Sequence, residues 1–102
     1  MKIISQGDTL NVSGIAELAA GNSGAFQEQL CAALPDGVKH IEIDLSQTAF
    51  VDCGGVGALV GLRNSARDLS LDVTIRLLNP TGPVKRIFNL TRMNDLFPIV
   101  TR

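Results

Sequence analysis

Residues 41–62 read IEIDLSQTAFVDCGGVGALVGL, in which a strand pattern passes directly into a helix pattern. Ile41, Ile43 and Leu45 alternate with acidic residues, and this alternation is typical of a strand with one buried face. Residues 56–62 are all small or apolar, with too few polar positions for a half-exposed strand, so they favour a helix. The chain is therefore predicted to leave a strand and enter a helix within a few residues.

The connection between these two elements contains Asp52-Cys53-Gly54-Gly55. Aspartate is a preferred N-cap residue because its carboxylate accepts a hydrogen bond from an unpaired backbone N–H in the first helical turn. The two glycines remove side-chain bulk where the helix begins. Cys53 is therefore predicted to lie at a helix N-terminus, near the surface of the protein.

The length and composition indicate one globular domain. The chain has 102 residues, which is enough for one hydrophobic core and too few for two. Hydrophobic residues make up 45% of the sequence, a content that supports a packed core and argues against disorder. We therefore expect a single domain over residues 1–102.

The charge distribution excludes several classes of partner. The net charge is −1 and the 9 basic residues are scattered, whereas a nucleic-acid surface needs clustered lysine and arginine. No apolar run approaches the length of a membrane span, and the N-terminus lacks the apolar segment of a signal peptide. With no export signal, Cys31 and Cys53 are expected to be reduced thiols. We therefore expect a cytoplasmic protein that neither binds nucleic acid nor inserts into a membrane.

The remaining patterns predict strands and helices in alternation. They indicate, in order, a hairpin of strands at Ile3-Ile4 and residues 9–13, a helix over residues 23–34 capped by Ser23, the strand over residues 38–45, the helix to about residue 68, a strand over residues 71–78, a helix capped by Thr81, and a short helix over residues 90–97. Strands separated by helices usually pair in parallel through right-handed crossovers. We therefore predict an α/β fold, with a mixed sheet of four to five strands and helices packed against it.

Several of these residues also resemble a known family. Asp44-Leu45-Ser46, Thr48, Phe50-Val51-Asp52 and residues 55–59 are similar to the central motif of STAS domains, and in particular of the bacterial anti-sigma factor antagonists. The family pattern is a strand that ends in D-L-S, then an apolar pair followed by D-S-S-G-L-G. The resemblance covers nearly the whole chain, including the opening hairpin and the closing segment. It departs at one important place, because the serine that is phosphorylated in the family falls on Cys53.

The resemblance implies a regulatory protein-binding module that works by partner switching. A member of the family binds an anti-sigma factor, which is also a serine kinase, and thereby frees the sigma factor. Phosphorylation after the capping aspartate adds about two negative charges and breaks the complex. With Cys53 as the switch position, the resemblance and the excess of small and apolar residues predict a partner-binding surface of Asp52, Cys53, Gly54, Gly55, Val56 and Val60.

A cysteine at the switch position leaves several interpretations open, because a serine kinase does not readily phosphorylate a thiol. The protein can be a constitutive antagonist, or it can be regulated at another hydroxyl, with Ser46, Thr48 and Ser65 as candidates. Cys53 can also be a redox switch, since a helix N-terminus favours the reactive thiolate. The remaining interpretation is a tolerated small residue with no chemistry of its own.

Patterns for catalysis and metal binding are missing from the sequence. His40 is the only histidine and has no cysteine or carboxylate at ligand spacing, so no metal site is expected. Residues 54–61 read GGVGALVG, which does not fit a phosphate-binding loop and contains no lysine. We therefore expect a protein that is not an enzyme and that binds no cofactor.

A second class of function is compatible with the same residues. Some single STAS domains resemble accessory subunits of ABC-type lipid transporters, in which the same helix docks the transporter ATPase without a phosphorylation cycle. The absence of the serine favours this alternative. A small-ligand carrier is a third class, with no support beyond the fold. Gene neighbours separate the first two classes, since sigma factor or kinase genes support the antagonist and permease genes support the transporter subunit.

Overall fold

The computed structural model describes residues 2–33, 38–68 and 73–101. Strands and helices alternate along these residues, as the sequence patterns predict. In order, they are β1 (Lys2–Gln6), β2 (Thr9–Ser13), β3 (Glu17–Leu18), α1 (Ser23–Ala33), β4 (His40–Asp44), β5 (Phe50–Val51), α2 (Cys53–Asp68), β6 (Thr74–Leu78), α3 (Gly82–Leu90), a short 3-10 helix (Met93–Asp95) and β7 (Ile99–Val100).

Five of the strands form one mixed sheet in the order β1-β2-β4-β6-β7. β1 and β2 are an antiparallel hairpin, and every other pair in this sheet is parallel. The hairpin turns at Gly7 and Asp8, and Gly7 has a φ of 61°, which glycine adopts without steric cost. The predicted α/β fold with a mixed sheet of four to five strands is therefore confirmed.

One face of this sheet carries the hydrophobic core. Alternate side chains of β2, β4 and β6 point to this face and pack with side chains of the three α-helices. Burial of this apolar surface is the main favourable contribution to folding. The largest fully buried side chains include Leu10, Leu30, Ile41, Ile43, Leu59, Leu62, Leu77 and Phe88.

The opposite face of the sheet is mostly polar. The register aligns Ile4, Asn11, Glu42 and Arg76 in one row across β1, β2, β4 and β6. In this row Arg76 Nη1 lies 3.9 Å from Glu42 Oε1, an ion pair at the sheet surface. Because side chains of a strand alternate between faces, the same alternation that builds the core also builds this polar face.

A second, two-stranded sheet is not predicted by the sequence patterns. β3 pairs in parallel with β5, which places Glu17 beside Phe50 and Leu18 beside Val51. Each strand has only 2 residues, which is too short for a recognisable alternation. This pairing brings the segment after β3 next to Asp52, at the start of α2.

The C-terminal part of the chain also differs from its prediction. The sequence patterns predict a helix over residues 90–97, but α3 ends at Leu90 and a single 3-10 turn follows. Arg92 has a φ of 56°, a left-handed conformation that does not continue an α-helix. After Pro98 the chain adds β7 to the edge of the sheet, where backbone pairing with β6 decides the structure.

One predicted helix cap is wrong, and a second is right in position but makes no capping hydrogen bond. The Phe26 N–H donates to the Asn22 carbonyl at 3.0 Å, so Asn22 precedes α1 and Ser23 is already its first residue. Thr81 occupies the N-cap position of α3, but its side chain does not cap the helix. Its hydroxyl donates to the Thr48 carbonyl oxygen at 2.7 Å, because the fold brings that acceptor into reach.

Two strands are shorter in the structure than the sequence patterns predict. The strand predicted over residues 38–45 covers His40–Asp44, and the one predicted over residues 71–78 covers Thr74–Leu78. Residues 71 and 72 lie outside the described residues, as does the predicted end of the first helix at residues 34–37.

Candidate functional site

Asp52 caps α2, as its position in the sequence predicts. Its Oδ1 accepts a hydrogen bond from the Gly55 N–H at 3.0 Å, and its main-chain carbonyl accepts the Val56 N–H at 3.0 Å. The Gly55 N–H is a backbone donor that has no partner inside the helix. The capping carboxylate therefore defines where α2 begins, directly after β5.

The second carboxylate oxygen of Asp52 joins two distant parts of the chain. Oδ2 accepts a hydrogen bond from the Ala20 N–H at 3.3 Å, and the Asp52 N–H donates to the Leu18 carbonyl at 3.2 Å. The pKa of Asp52 lies below its ordinary value of 3.8, chiefly because the carboxylate accepts the Gly55 N–H, while partial loss of hydration opposes this shift. Asp52 therefore carries a negative charge at neutral pH.

Gly54 and Gly55 lie against the segment that follows β3. A Cβ at Gly55 would overlap the Leu18 carbonyl oxygen, and a Cβ at Gly54 would lie 2.7 Å from the Ala20 Cα. Both obstructing atoms belong to the backbone, so no side chain fits at either position without a backbone shift. The two glycines were predicted as partner-binding residues, and their packing against residues 18–20 gives them a structural role inside the fold.

The turn between β3 and α1 completes this region, and the sequence patterns do not single it out. Asn22 orders the turn, since its Oδ1 accepts the Ala19 N–H and its Nδ2 donates to the Glu17 carbonyl, both at 2.8 Å. The turn holds the Ala20 N–H toward Asp52. Asparagine after glycine is a turn signal that could have identified Asn22. The position of this turn beside Asp52 has no signal in the sequence.

Cys53 is the first residue of α2, and it is exposed. Gly57 is also exposed and has open space around its Cβ position, whereas Val56 and Val60 are half-buried and pack against the core. Within residues 53–60, Cys53 and Gly57 are therefore the exposed positions, and the two valines flank them. We refer to Asp52, Cys53, Val56, Gly57 and Val60 as the α2 surface.

Gly61 has a different role from Gly57, although both lie in the same apolar part of α2. A Cβ at Gly61 would lie 2.7 Å from Gln27 Oε1, so α1 and its Gln27 side chain lie close to this part of α2. Gly57 has no neighbour that requires a glycine. A side chain at residue 61 would therefore require the end of the Gln27 side chain to move, whereas one at residue 57 would displace nothing.

The three alternative hydroxyls lie in different environments. Thr48 is fully buried, and its Oγ1 donates to the Ile15 carbonyl oxygen at 2.6 Å, so a kinase cannot reach it in the folded protein. Ser46 is exposed in the turn after β4, where its N–H donates to Asp44 Oδ1 at 2.9 Å. Ser65 is half-buried in α2. Thr48 is therefore a structural residue, and the prediction of a regulatory hydroxyl there is wrong.

The chemistry of the α2 surface is limited to one thiol, one carboxylate and small apolar groups. Within residues 2–33, 38–68 and 73–101, no group of three or more His, Cys, Asp or Glu side chains is arranged to hold a metal ion. No helix in the described part of the chain is long and apolar enough to cross a membrane.

Comparison with known proteins identifies the fold. The fold is similar to that of a candidate anti-sigma factor antagonist from Thermotoga maritima, at 20% identity and a TM-score of 0.85, covering 99% of this chain and 85% of the other. The unphosphorylated form of the anti-sigma factor antagonist SpoIIAA matches at 17% identity and a TM-score of 0.81, covering 99% and 86%. The phosphorylated form of SpoIIAA, a Bacillus cell fate determinant, matches at 17% identity and a TM-score of 0.68, covering 99% and 89%.

These solved structures establish the fold, since their identities to this chain are low. Membership rests on the sequence of nearly the whole chain, because the family model for the STAS domain matches residues 2–102. The chain therefore belongs to the STAS domain family.

Proposed function

We propose that this protein is an anti-sigma factor antagonist, a regulatory module that binds an anti-sigma factor with serine kinase activity. The observation that carries the proposal is the position of Cys53, which is exposed and directly follows the capping Asp52. In the family motif, this is the position of the phosphorylated serine. The structural neighbours described as anti-sigma factor antagonists support the same function. We propose further that the protein acts in the cytoplasm, without catalytic activity or a cofactor of its own.

The proposed contact with the anti-sigma factor is the α2 surface. Cys53 and Gly57 are small, so a partner segment can approach the helix backbone closely at these two positions. Alanine would favour the helix over glycine at residue 57 by about 1 kcal/mol, and nothing inside the protein excludes it. Val56 and Val60 add partly exposed apolar area to the contact.

Charge at residue 53 is the proposed switch. Asp52 already places a negative charge beside this position, and its lowered pKa keeps it ionised at neutral pH. A second negative charge at residue 53 would be repelled by Asp52 and would lose hydration when a partner covers it. An uncharged thiol avoids both costs. The wild-type protein is therefore proposed to bind constitutively, like an unphosphorylated antagonist.

The test compares wild type with Cys53→Ser, Cys53→Asp and Cys53→Glu by titration calorimetry against the anti-sigma factor kinase of the same genome. Without nucleotide, wild type and Cys53→Ser should bind alike, and both acidic variants should bind about tenfold or more weakly because like charges then face each other. With ATP and magnesium, Cys53→Ser should be phosphorylated and released, whereas wild type should stay bound.

Two controls test whether weaker binding comes from a charge at residue 53, rather than from loss of the thiol or from an added charge elsewhere. Cys53→Ala removes the thiol without adding charge and should bind like wild type. Thr74→Glu adds a carboxylate at an exposed position of β6, away from the α2 surface, and should also bind like wild type. Equal affinity of Cys53→Glu and wild type would place residue 53 outside the interface and would contradict the proposal.

A further inference from the structure

β1 is the edge strand of the five-stranded sheet, and its outer side has no partner strand among the described residues. Natural proteins commonly protect such an edge with proline, a bulge, an inward-pointing charge or charged side chains, lysine above all. β1 reads KIISQ, and its only charge is Lys2 at the end of the strand. Ile4, at the centre, is 42% exposed on the polar face of the sheet. Beyond Lys2 at its end, β1 therefore presents an unprotected backbone edge with an exposed apolar side chain in the middle.

The geometry of the hairpin determines which backbone groups of β1 point outward. The two-residue turn pairs Gln6 with Thr9, and a tight turn of this kind closes with a hydrogen bond between these residues. Hydrogen-bonded and non-hydrogen-bonded pairs alternate along an antiparallel ladder. Ile4 therefore bonds to β2, whereas the N–H and C=O groups of Ile3 and Ser5 point to the open edge.

We propose that β1 pairs with β1 of a second copy of this chain, antiparallel about a two-fold axis, so that the two sheets become continuous. In the proposed register, Ile4 lies opposite Ile4 of the second copy. Ile3 then lies opposite Ser5, and the outward N–H and C=O groups of both residues are paired in both copies. A shift by two residues in either direction leaves Ser5 beyond the partner strand or pairs Ile3 with the turn residue Gly7.

The side chains of β1 agree with this register. The two Ile4 residues form a non-hydrogen-bonded pair, the kind in which side chains come closest, so their exposed apolar surfaces are covered. Lys2 lies opposite Gln6, so like charges do not face each other. The two Lys2 positions are separated by roughly 14 Å along the strand direction, which is more than the screening length of about 8 Å at physiological salt.

The two-fold axis of such a pair is perpendicular to the sheet, so the helices of both copies lie on the same face. The dimer would therefore carry two α2 surfaces on one side. A partner with two binding sites could then contact both surfaces at once. The inference does not depend on the proposed function, because β1 and the α2 surface share no residue. Failure of either proposal leaves the other intact.

The first test is the mass of the particle in light scattering as a function of protein concentration. Wild type should pass from monomer to dimer mass as the concentration rises. Ile4→Lys and Ile4→Glu should each stay monomeric, because each places two like charges at the closest approach of the strands. An equimolar mixture of these two variants should recover the dimer, because opposite charges then face each other. Thr74→Lys, which adds the same charge to the same sheet face on β6, should dimerise like wild type.

Amide hydrogen exchange locates the contact within β1. The Ile3 and Ser5 amides should exchange more slowly as the concentration rises, whereas the Ile4 amide should be protected at every concentration. Ser5→Pro removes one outward N–H and leaves the hairpin bonds intact, so it should be a folded monomer with an unchanged circular dichroism spectrum. A wild type that stays monomeric up to about 1 mM would overturn the proposal. The proposal would also be overturned if Ile4→Lys still dimerised. It would be overturned as well if the exchange rates of the Ile3 and Ser5 amides did not change with protein concentration.

Discussion

The starts of α2 and α3 both follow a strand, yet different kinds of contact hold them in place. At α2, Asp52 accepts the Gly55 N–H of its own helix and also the Ala20 N–H of a distant segment. At α3, no side chain caps the helix, and Pro83 supplies a backbone angle that suits a first turn. The start of α2 therefore has a capping carboxylate that also makes a tertiary contact, whereas the tertiary hydrogen bond at the start of α3, from Thr81 to Thr48, leaves the helix itself uncapped.

This difference indicates why α2, and not α3, carries the candidate site. The first turn of α2 packs against the backbone of Leu18 and Ala20, so the exposed Cys53 is held in a defined position. At α3, Gly82 is exposed, and a Cβ there would have no neighbour within 4 Å. A binding surface gains affinity when its groups are already in place before the partner arrives.

Of these substitutions, Gly55→Ala is expected to cause the largest loss of stability, because it disturbs the start of α2. The new Cβ would overlap the Leu18 carbonyl oxygen, and this backbone atom can move only if the β3–β5 pair is disturbed. We expect the free energy of unfolding to fall by about 3 kcal/mol or more, because a change of rotamer cannot relieve the overlap. Urea unfolding followed by circular dichroism measures the loss.

Gly57→Ala is the matched control, because it makes the same substitution two residues later in the same helix. A Cβ at Gly57 meets open space, so alanine should raise the free energy of unfolding by up to about 1 kcal/mol through its higher helix propensity. Equal losses for Gly55→Ala and Gly57→Ala would show that the contact with Leu18 is not the cause.

Thr48→Val is expected to have the next largest effect, because Thr48 is fully buried and bonds to two distant segments, one of them the start of α3. Its hydroxyl donates to the Ile15 carbonyl, and its own carbonyl accepts the Thr81 hydroxyl. Valine keeps the shape but leaves the Ile15 carbonyl without this donor, so we expect a loss of about 2 kcal/mol in urea unfolding. Thr48→Ser keeps the hydroxyl and should lose less; a larger loss for serine would assign the effect to the methyl group instead.

Asp52→Asn tests the contribution of charge to the start of α2. Asparagine can still accept the Gly55 N–H, so the variant removes the charge and keeps a cap. Because the folded pKa of Asp52 is lowered, the charge stabilises the protein fully above the unfolded value of 3.8, and this stability is lost as the pH falls through the lower folded pKa.

The urea midpoint of wild type should therefore exceed that of Asp52→Asn by a constant amount from about pH 7 to about pH 5, and the difference should shrink below about pH 4. A difference that stays the same at every pH would mean that the substitution acts through shape rather than charge.

Thr81→Ala is expected to have the smallest effect of the series. Its hydroxyl bonds to the Thr48 carbonyl and does not cap α3, so the variant loses one partly buried hydrogen bond and no helix cap. We expect a loss of about 1 kcal/mol or less in thermal unfolding. Thr81→Ser, which keeps the hydroxyl, should restore most of it. A loss as large as that of Thr48→Val would show that the start of α3 depends on tertiary contact as strongly as α2 does.

The amino-acid sequence by itself determined the features whose signals are local. The alternation of Ile41 and Ile43 predicts β4, because successive side chains of a strand point to opposite faces. Asp52 predicts the cap of α2, because an N-cap needs only donors within the same helical turn. The α/β class, the opening hairpin and the position of Cys53 at a helix start follow from the same short-range rules.

Only the tertiary structure decided the features that join distant segments. The bond from Ala20 to Asp52 connects residues 32 positions apart, and β3 and β5 are too short to show a period. Gly55 and Gly57 look alike in the sequence, and one is packed against backbone while the other faces open space. Local patterns determine which conformation a segment prefers, whereas the burial of Thr48 and the packing of Gly55 depend on where those segments meet in space.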